Sequence, residues 1–329
     1  MKKFFKGVLC VLVCLFTGAF SLVGLVFVGE KVFFADFYFG DLEIENTVPG
    51  LWTGFVPQGF DQLEDGTYLM SGYDKDSGKP SSVYVITEED GVRCDLYNAD
   101  GSAYTSHAGG VAHFGEYMYV ANNNGEETAT CDMFLLSDVL DGDGKATVCD
   151  SFFVPNRLAY CAVYDGKLYG GAFYKEDSQY KTPDEHKLTT PCGDKNTSLM
   201  MVYTLDESTG KLQSETPDQI YSTTSKVQGM CLTASGNIVL STSFGLSPSY
   251  LYRYDLSKAK TGTFTFNGTD VPLAYLDSDC LVQSLKCPPM SEGLEYKDGK
   301  VILFFESASM KYLFGKVTGA YFIYGYPMP

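Results

Sequence analysis

Residues 228–244 read QGMCLTASGNIVLSTSF. This stretch has a small polar start, which is followed by a short apolar segment, a glycine turn and a second apolar segment. The turn is Ala234-Ser235-Gly236, because glycine readily adopts the positive φ that a short hairpin turn requires. The flanking segments have strand length and are rich in residues that fit a pleated, half-buried surface. The stretch therefore predicts a β-hairpin.

Four other parts of the chain repeat this pattern, with turns centred on Gly66, Gly115, Gly166 and Gly299. The repeats start roughly 50 to 70 residues apart, a spacing that suits one four-stranded sheet with variable loops. Each hairpin is followed by a further apolar strand and a polar turn. The five repeats are residues 58–73, 109–122, 160–173, 228–244 and 292–307.

Repeated antiparallel sheets of this kind close into a β-propeller, which removes the exposed edges of an open sheet. One clear strand, residues 320–324, follows the fifth repeat. We therefore expect residues 41–45 to complete its sheet and to join the two ends of the chain. The sequence predicts an all-β fold, a β-propeller over residues 41–329, with five blades favoured and six possible.

The chain begins with lysines and continues almost entirely apolar over residues 7–28. About 20 residues of helix cross the hydrocarbon core of a bilayer, and lysines that precede such a span stay in the cytoplasm. A cleaved signal peptide ending near residues 17–19 is the alternative. We expect a cytoplasmic tail over 1–6, a transmembrane signal anchor over 7–28 and a linker over 29–40, in a single-pass cell membrane protein with an extracytoplasmic body.

The chain has 41 acidic and 24 basic residues, a formal net charge of −17. Such a charge repels nucleic acid phosphates, so we expect no nucleic acid partner. Eight of the ten cysteines lie outside the apolar segment. Since an exported domain permits disulfides, we expect the pairs Cys131–Cys149, which flank a turn, and Cys280–Cys287, which bracket a short loop.

Two long irregular stretches, residues 175–196 and 277–291, are expected on the face opposite the hairpin turns. Long structureless loops in a compact domain are usually functional or disordered. Their placement on one rim favours binding of a ligand or partner at that loop-rich face. Two tolerated surface insertions are the alternative interpretation.

The starts of the first strands and the ends of the second strands are expected to converge around the central channel. Amide, hydroxyl and aromatic side chains at those positions could hydrogen-bond a polar small molecule, and ordered water is the alternative occupant. The candidate ligand-binding residues are Gln58, Tyr73, His107, Asn122, Asn123, Tyr174, Gln228 and Ser243.

Two carboxylates, Glu292 and Glu306, are expected at the same channel and are the candidate metal ligands. Their hard oxygen atoms suit a divalent cation such as calcium, and no other cofactor is indicated. His107 is the candidate general base, provided that its pKa lies near neutrality. The sequence contains no Gly-x-Ser-x-Gly elbow, His-Glu-x-x-His or phosphate-binding Gly-x-x-x-x-Gly-Lys motif.

The repeat pattern, in which Gln228-Gly229-Met230 precedes residues 235–240, SGNIVL, resembles the repeat pattern of the regucalcin/gluconolactonase and strictosidine-synthase-like propellers. The resemblance covers most of the chain after about residue 40. Lactonases of this type hold a divalent metal over the channel, with a first-blade glutamate preceding a glycine. Here the matching residue of the first repeat is Gln58, whereas Glu292 precedes a glycine in the last repeat.

Two functions follow from these observations. The leading expectation is a membrane-anchored extracytoplasmic β-propeller that binds an unidentified small molecule or extracellular partner on its loop-rich face. The alternative is a divalent-metal-dependent hydrolase of the lactonase or phosphoester type that uses Glu292, Glu306, His107 and Asn122.

Overall fold

The computed structural model describes residues 23–123, 128–312, 315–316 and 318–328. Regular structure in these ranges is predominantly β, with 24 strands and a few short helices. The helices include α1 (residues 23–33), α2 (Ala35–Tyr38), α3 (Leu136–Leu140) and the 3₁₀ turns Asp184–His186, Leu256–Lys258 and Glu306–Ala308. The all-β prediction is confirmed.

Most of the strands form antiparallel units of four, in which the strands pair in sequence order from the first, innermost strand outward. The first unit consists of β2 (Phe55–Gln62), β3 (Tyr68–Asp74), β4 (Ser82–Ile86) and β5 (Gly91–Tyr97). The second unit consists of β6 (Val111–Phe114), β7 (Tyr117–Asn123), β8 (Ala129–Leu135) and β9 (Lys145–Val154).

The next two units have insertions between their strands. The third unit consists of β10 (Tyr160–Tyr164), β11 (Lys167–Gly171), β14 (Ser198–Thr204) and β15 (Gln219–Thr223), and between its second and third strands lies a small hairpin of β12 (Leu188–Thr189) and β13 (Lys195–Asn196). The fourth unit consists of β16 (Val227–Leu232), β17 (Ile238–Thr242), β18 (Ser249–Tyr254) and β21 (Leu281–Cys287).

The fifth unit joins the two ends of the described chain. It consists of β22 (Ser291–Lys297), β23 (Lys300–Phe305), β24 (Phe322–Pro327) and β1 (Glu43–Thr47). Strand β1 pairs antiparallel with β24, with Glu43 opposite Gly325 and Thr47 opposite Phe322. The predicted closure by a strand near residues 41–45 is therefore confirmed.

The innermost strands contact one another in a closed circle, β2 to β6, β10, β16, β22 and back to β2. Glycines allow this close approach: a β-carbon added at Gly229 would lie 2.7 Å from the carbonyl oxygen of Glu292 in the next unit. The main apolar clusters fill the space between neighbouring units. This ring of radiating sheets is a propeller-like fold, as the sequence resemblance implied.

A hairpin of β19 (Thr261–Phe266) and β20 (Thr269–Tyr275) lies between β18 and β21 along the chain. It does not extend the fourth unit, because β20 pairs in parallel with β15 at the outer edge of the third unit. The stretch 277–291, expected as an irregular loop, contains strand β21. Its alternating exposure, with residues such as Leu285 buried, is that of an outer strand.

Both expected disulfides are wrong, and all eight described cysteines are free thiols. Cys280 and Cys287 lie at opposite ends of β21, about 20 Å apart at the rise of an extended strand, which is far beyond disulfide reach. The exposed Cys149 donates to the carbonyl oxygen of Met133 (3.3 Å), whereas Cys131 is buried in the core. Their thiols therefore point to different environments.

The predicted membrane anchor over 7–28 falls mostly outside the described residues. Within the described part of the chain, no helix has the length and apolar character needed to cross a membrane. Part of the segment expected as a linker is ordered against the fifth unit. Phe37 of α2 is fully buried, and its ring meets those of Phe305 and Tyr324 edge-on at 5.6 and 5.5 Å.

Candidate functional site

A cavity of about 560 Å³ opens on the face where the first strands begin and the second strands end. The five hairpin turns lie at the opposite ends of these strands, so the cavity is on the predicted loop-rich face. Seven of the eight candidate ligand-binding residues line it: Gln58, Tyr73, His107, Asn122, Asn123, Gln228 and Ser243.

Tyr174 is the candidate that does not line this cavity; its neighbour Phe173 does. Consecutive residues of an extended segment point to opposite sides, so only one of the two can face the channel. The buried ring of Tyr174 instead lies 5.5 Å from the ammonium groups of both Lys181 and Lys187. The strand itself ends earlier, at Gly171, and the neighbouring Phe173 lines the cavity where Tyr174 was expected.

Glu306 lies at the cavity wall, where the first and fifth units meet. Its carboxylate accepts hydrogen bonds from Nε2 of Gln58 (2.8 Å) and the hydroxyl of Tyr312 (3.1 Å). Burial outweighs these interactions and the nearby charge of Lys311, and it raises the pKa of Glu306 to about 7. Glu306 can therefore exchange a proton near neutral pH.

Glu292 lies behind the cavity wall and is 3% exposed. Its carboxylate accepts a hydrogen bond of 3.3 Å from Nε2 of Gln228. Burial and the neighbouring charge of Glu306 raise the pKa of Glu292 well above its usual range. The channel thus brings the two predicted carboxylates close together, although only Glu306 faces the cavity.

The donor set at the channel does not match a divalent-metal centre of the lactonase type. Among the described residues, no group of three or more histidine, cysteine or acidic side chains is arranged to hold a metal ion. Both carboxylates already accept hydrogen bonds from amide groups, and the Lys311 ammonium adds positive charge beside them. We therefore derive no chemistry through a metal at this site.

His107 projects into the cavity, and its ring stacks on that of Tyr73 with centroids 4.7 Å apart. The pKa of His107 is lowered, first by loss of hydration and second by the charge of Lys311. The imidazole is therefore neutral at physiological pH. A lowered pKa makes His107 a weaker general base than Glu306, which favours the carboxylate for proton transfer.

Sequence reasoning missed the charged and aromatic side chains that complete the cavity. Arg157 lies in the connection between β9 and β10, and Lys311 follows the 3₁₀ turn after β23. Neither belongs to a repeat position, so no sequence signal identified them. The aromatic lining residues that were also missed are Phe173, Tyr180, Phe244 and Tyr312.

A second buried polar cluster lies at the other ends of the innermost strands, near the hairpin turns. Nδ1 of His113 is 2.6 Å from Oδ2 of Asp61, and the hydroxyl of Tyr164 donates to Glu295 (2.8 Å). Burial, followed by the charge of Asp61, raises the pKa of Glu295 to about 8. For His113, the hydrogen bond and charge of Asp61 outweigh burial and raise its pKa.

Comparison with solved structures finds distant neighbours. Aldose sugar dehydrogenase from Streptomyces coelicolor, in its PQQ-bound form, is 12% identical, with a TM-score of 0.47 over 87% of this chain and 97% of that chain. A putative glucose dehydrogenase from Thermus thermophilus is 13% identical, with a TM-score of 0.46 over 86% and 99% of the two chains.

Glutaminyl cyclase from Myxococcus xanthus is a third neighbour, 12% identical, with a TM-score of 0.41 over 80% of this chain and 90% of that chain. No protein-family model and no curated protein matches the sequence.

Proposed function

We propose that the chain is a five-bladed propeller that binds a small polar ligand in the cavity on its loop-rich face. Each four-stranded unit is one blade, because the five innermost strands contact one another in a single closed circle. The observation that carries the proposal is a cavity of about 560 Å³ at the axis, within the volume range of small-molecule sites.

Hydrogen-bonding capacity at the cavity supports a polar ligand. The side-chain nitrogens of Gln58, Gln228 and Asn122 donate to Glu306, Glu292 and Asp132, respectively. No protein donor within the described residues reaches the three corresponding amide oxygens. These oxygens are therefore acceptors held in position for hydroxyl or N–H groups of a ligand.

A tryptophan at Ala159 is expected to abolish small-molecule binding, because the indole would occupy the cavity that Ala159 partly lines. The measurement is a ligand-observed NMR screen of a fragment library against the purified chain. Ala259→Trp, at a half-buried site outside the cavity lining, is the matched control and should keep the hits. Hits that survive Ala159→Trp would place binding elsewhere and contradict the proposal.

We further propose that the apolar segment over residues 7–28 tethers the propeller to the cell membrane, with its body outside the cytoplasm. The support is the length of the segment and the lysines that precede it. The full chain should sediment with membranes and require detergent for release, whereas a chain lacking residues 1–28 should remain in the supernatant. Full-length protein in the soluble fraction would contradict the tether.

A hydrolase is the second candidate function, and Glu306 is the observation that favours it. A carboxyl group with a pKa of about 7 at a cavity wall is suited to general acid–base catalysis. In this hydrolase the proton is transferred by a side chain of the protein, Glu306. Lactones and phosphoesters are the substrate classes of this alternative.

If the chain is a hydrolase, Glu306→Gln should lower kcat/KM about 100-fold or more, since glutamine cannot exchange the proton. Chromogenic lactones and 4-nitrophenyl phosphate are suitable substrates, tested across pH 5–9. Glu207→Gln, on an exposed turn, is the control and should match the wild type. A Glu306→Gln variant with full activity and an unchanged pH profile would eliminate Glu306 from the reaction.

A further inference from the structure

The charge of the cavity wall differs from that of the whole chain. Although the chain carries a net charge of −17, its cavity is lined by two cationic side chains, Arg157 and Lys311, and one carboxylate, Glu306. The cationic residues reach the cavity from different parts of the ring: Arg157 between the second and third units, and Lys311 beside the fifth. Positive charge therefore faces the cavity from two sides.

Neither cation forms a close ion pair with a carboxylate, although the charge of Lys311 lies near Glu306 and Glu292. Within the described residues, no aspartate or glutamate oxygen lies within 4.0 Å of Arg157 or Lys311, although other lysines form such pairs. Arg157 makes one long hydrogen bond, 3.5 Å, to the carbonyl oxygen of Lys181. Lys311 contacts the hydroxyl of Tyr73. Unpaired guanidinium and ammonium groups at a cavity wall are suited to an oxyanion.

The single lining carboxylate opposes an anion less than a fully ionised group would. Glu306 accepts hydrogen bonds from Gln58 and Tyr312, and burial raises its pKa to about 7, so a substantial fraction of this carboxyl group is protonated at neutral pH. The opening of the cavity also carries aromatic surface. Phe173 lies edge-on to Tyr180, with ring centroids 5.2 Å apart, and 6.3 Å from Phe244. These rings can cover an apolar or planar portion of a ligand.

We infer that the ligand of this cavity is a small organic anion, with a carboxylate or phosphate group at Arg157 and a planar or apolar body against Phe173 and Phe244. Lys311 adds attraction from the opposite side. This inference rests on the proposed binding function and adds its ligand class. A neutral ligand would leave Arg157 without a counter-charge, and a cationic ligand would be repelled by both cationic groups.

A series of compounds that share one ring and differ in charge tests the inference. The probes are benzoate, phenyl phosphate, benzamide and benzylamine, titrated into the full chain at 0.15 M ionic strength (approximately physiological) with affinity measured by NMR or calorimetry. At least one of the two anions should bind roughly tenfold more tightly than benzamide, equivalent to about 1.4 kcal/mol, and benzylamine should bind more weakly still. The stronger anion identifies carboxylate or phosphate as the preferred group.

Arg157→Gln should reduce affinity for the preferred anion about tenfold and leave that for benzamide unchanged. Lys167→Gln removes an exposed cation next to a hairpin turn on the opposite face and should change neither. Equal binding of all four probes, or an anion preference that survives Arg157→Gln, would overturn the inference.

Failure of the inference and failure of the proposed function can be told apart. If no anion binds but other fragments are lost on Ala159→Trp, the cavity binds ligands of another charge class and the inference alone is wrong. If fragment binding is insensitive to Ala159→Trp, the proposed function itself fails.

Discussion

Gly293→Ala is expected to destabilise the folded chain by about 3 kcal/mol or more, the upper range for overpacking a closed interior. A β-carbon at Gly293 would lie 2.6 Å from the backbone nitrogen of Phe60 and 3.1 Å from the carbonyl oxygen of Gln58. These atoms belong to the innermost strand of the neighbouring unit. Because backbone atoms cannot rotate away as a side chain can, the two units must separate at the axis.

Thermal or urea unfolding measures this effect, and a fall in Tm of at least about 5 °C is expected. Gly262→Ala is the matched control in an exposed strand, where the added carbon would lie 3.4 Å from the hydroxyl of Tyr275. That variant should melt within about 1 °C of the wild type. A Gly293→Ala protein as stable as the control would contradict the close contact between the first and fifth units.

Glu295→Gln is expected to stabilise the chain in alkaline solution and to leave it unchanged in acid. Burial and the charge of Asp61 raise the pKa of Glu295 from 4.5 to about 8. Between these pH values the folded chain retains a proton that the unfolded chain has lost, so stability falls as the pH rises. Glutamine resembles the protonated carboxyl group and removes this dependence.

The other charged and titratable groups near Glu295 are Asp61, His113, Tyr164, Tyr68 and Cys231. Glutamine preserves an acceptor for the Tyr164 hydroxyl, so the hydrogen bond can persist in the variant. We expect the Tm of Glu295→Gln to exceed that of the wild type by about 5 °C at pH 9 and by less than about 1 °C at pH 4.

Glu116→Gln is the control for this effect, because Glu116 is an exposed residue on a neighbouring hairpin turn. Removing its charge should not change how stability depends on pH. A parallel pair of Tm curves for wild type and Glu295→Gln across pH 4–9 would show that Glu295 is already ionised in the folded chain.

Local sequence patterns predicted the hairpins and the closure of the ring. Turn glycines such as Gly166 and Gly299 separate strand pairs at the expected positions, because positive φ at these sites is a local requirement. The apolar residues near 320–324 and the strand near 41–45 were both needed to complete the last unit, and they pair with each other. Periodicity and turn chemistry therefore carried the fold prediction.

The same reasoning failed where a pairing partner or side-chain direction was not local. The sequence near residue 277 looked irregular, yet β21 pairs with β18 across the inserted β19–β20 hairpin. Cys280 and Cys287 seemed close along the chain but are separated by the length of that strand. Tyr174 was expected in the channel, but its neighbour Phe173 lines the cavity. A shift of one residue along an extended segment decides which side chain faces the channel.

The sequence by itself determined the repeated hairpins, the strand-end positions of Gln58, Asn122 and Gln228, and an apolar first segment, because all of these depend on short-range periodicity and turn conformation. Only the tertiary structure decided that Arg157 and Lys311 share one cavity with Glu306. Arg157 and Lys311 come from distant parts of the chain and meet only when the ring closes. Their burial, pairing and proton affinity depend on neighbours that no local pattern specifies.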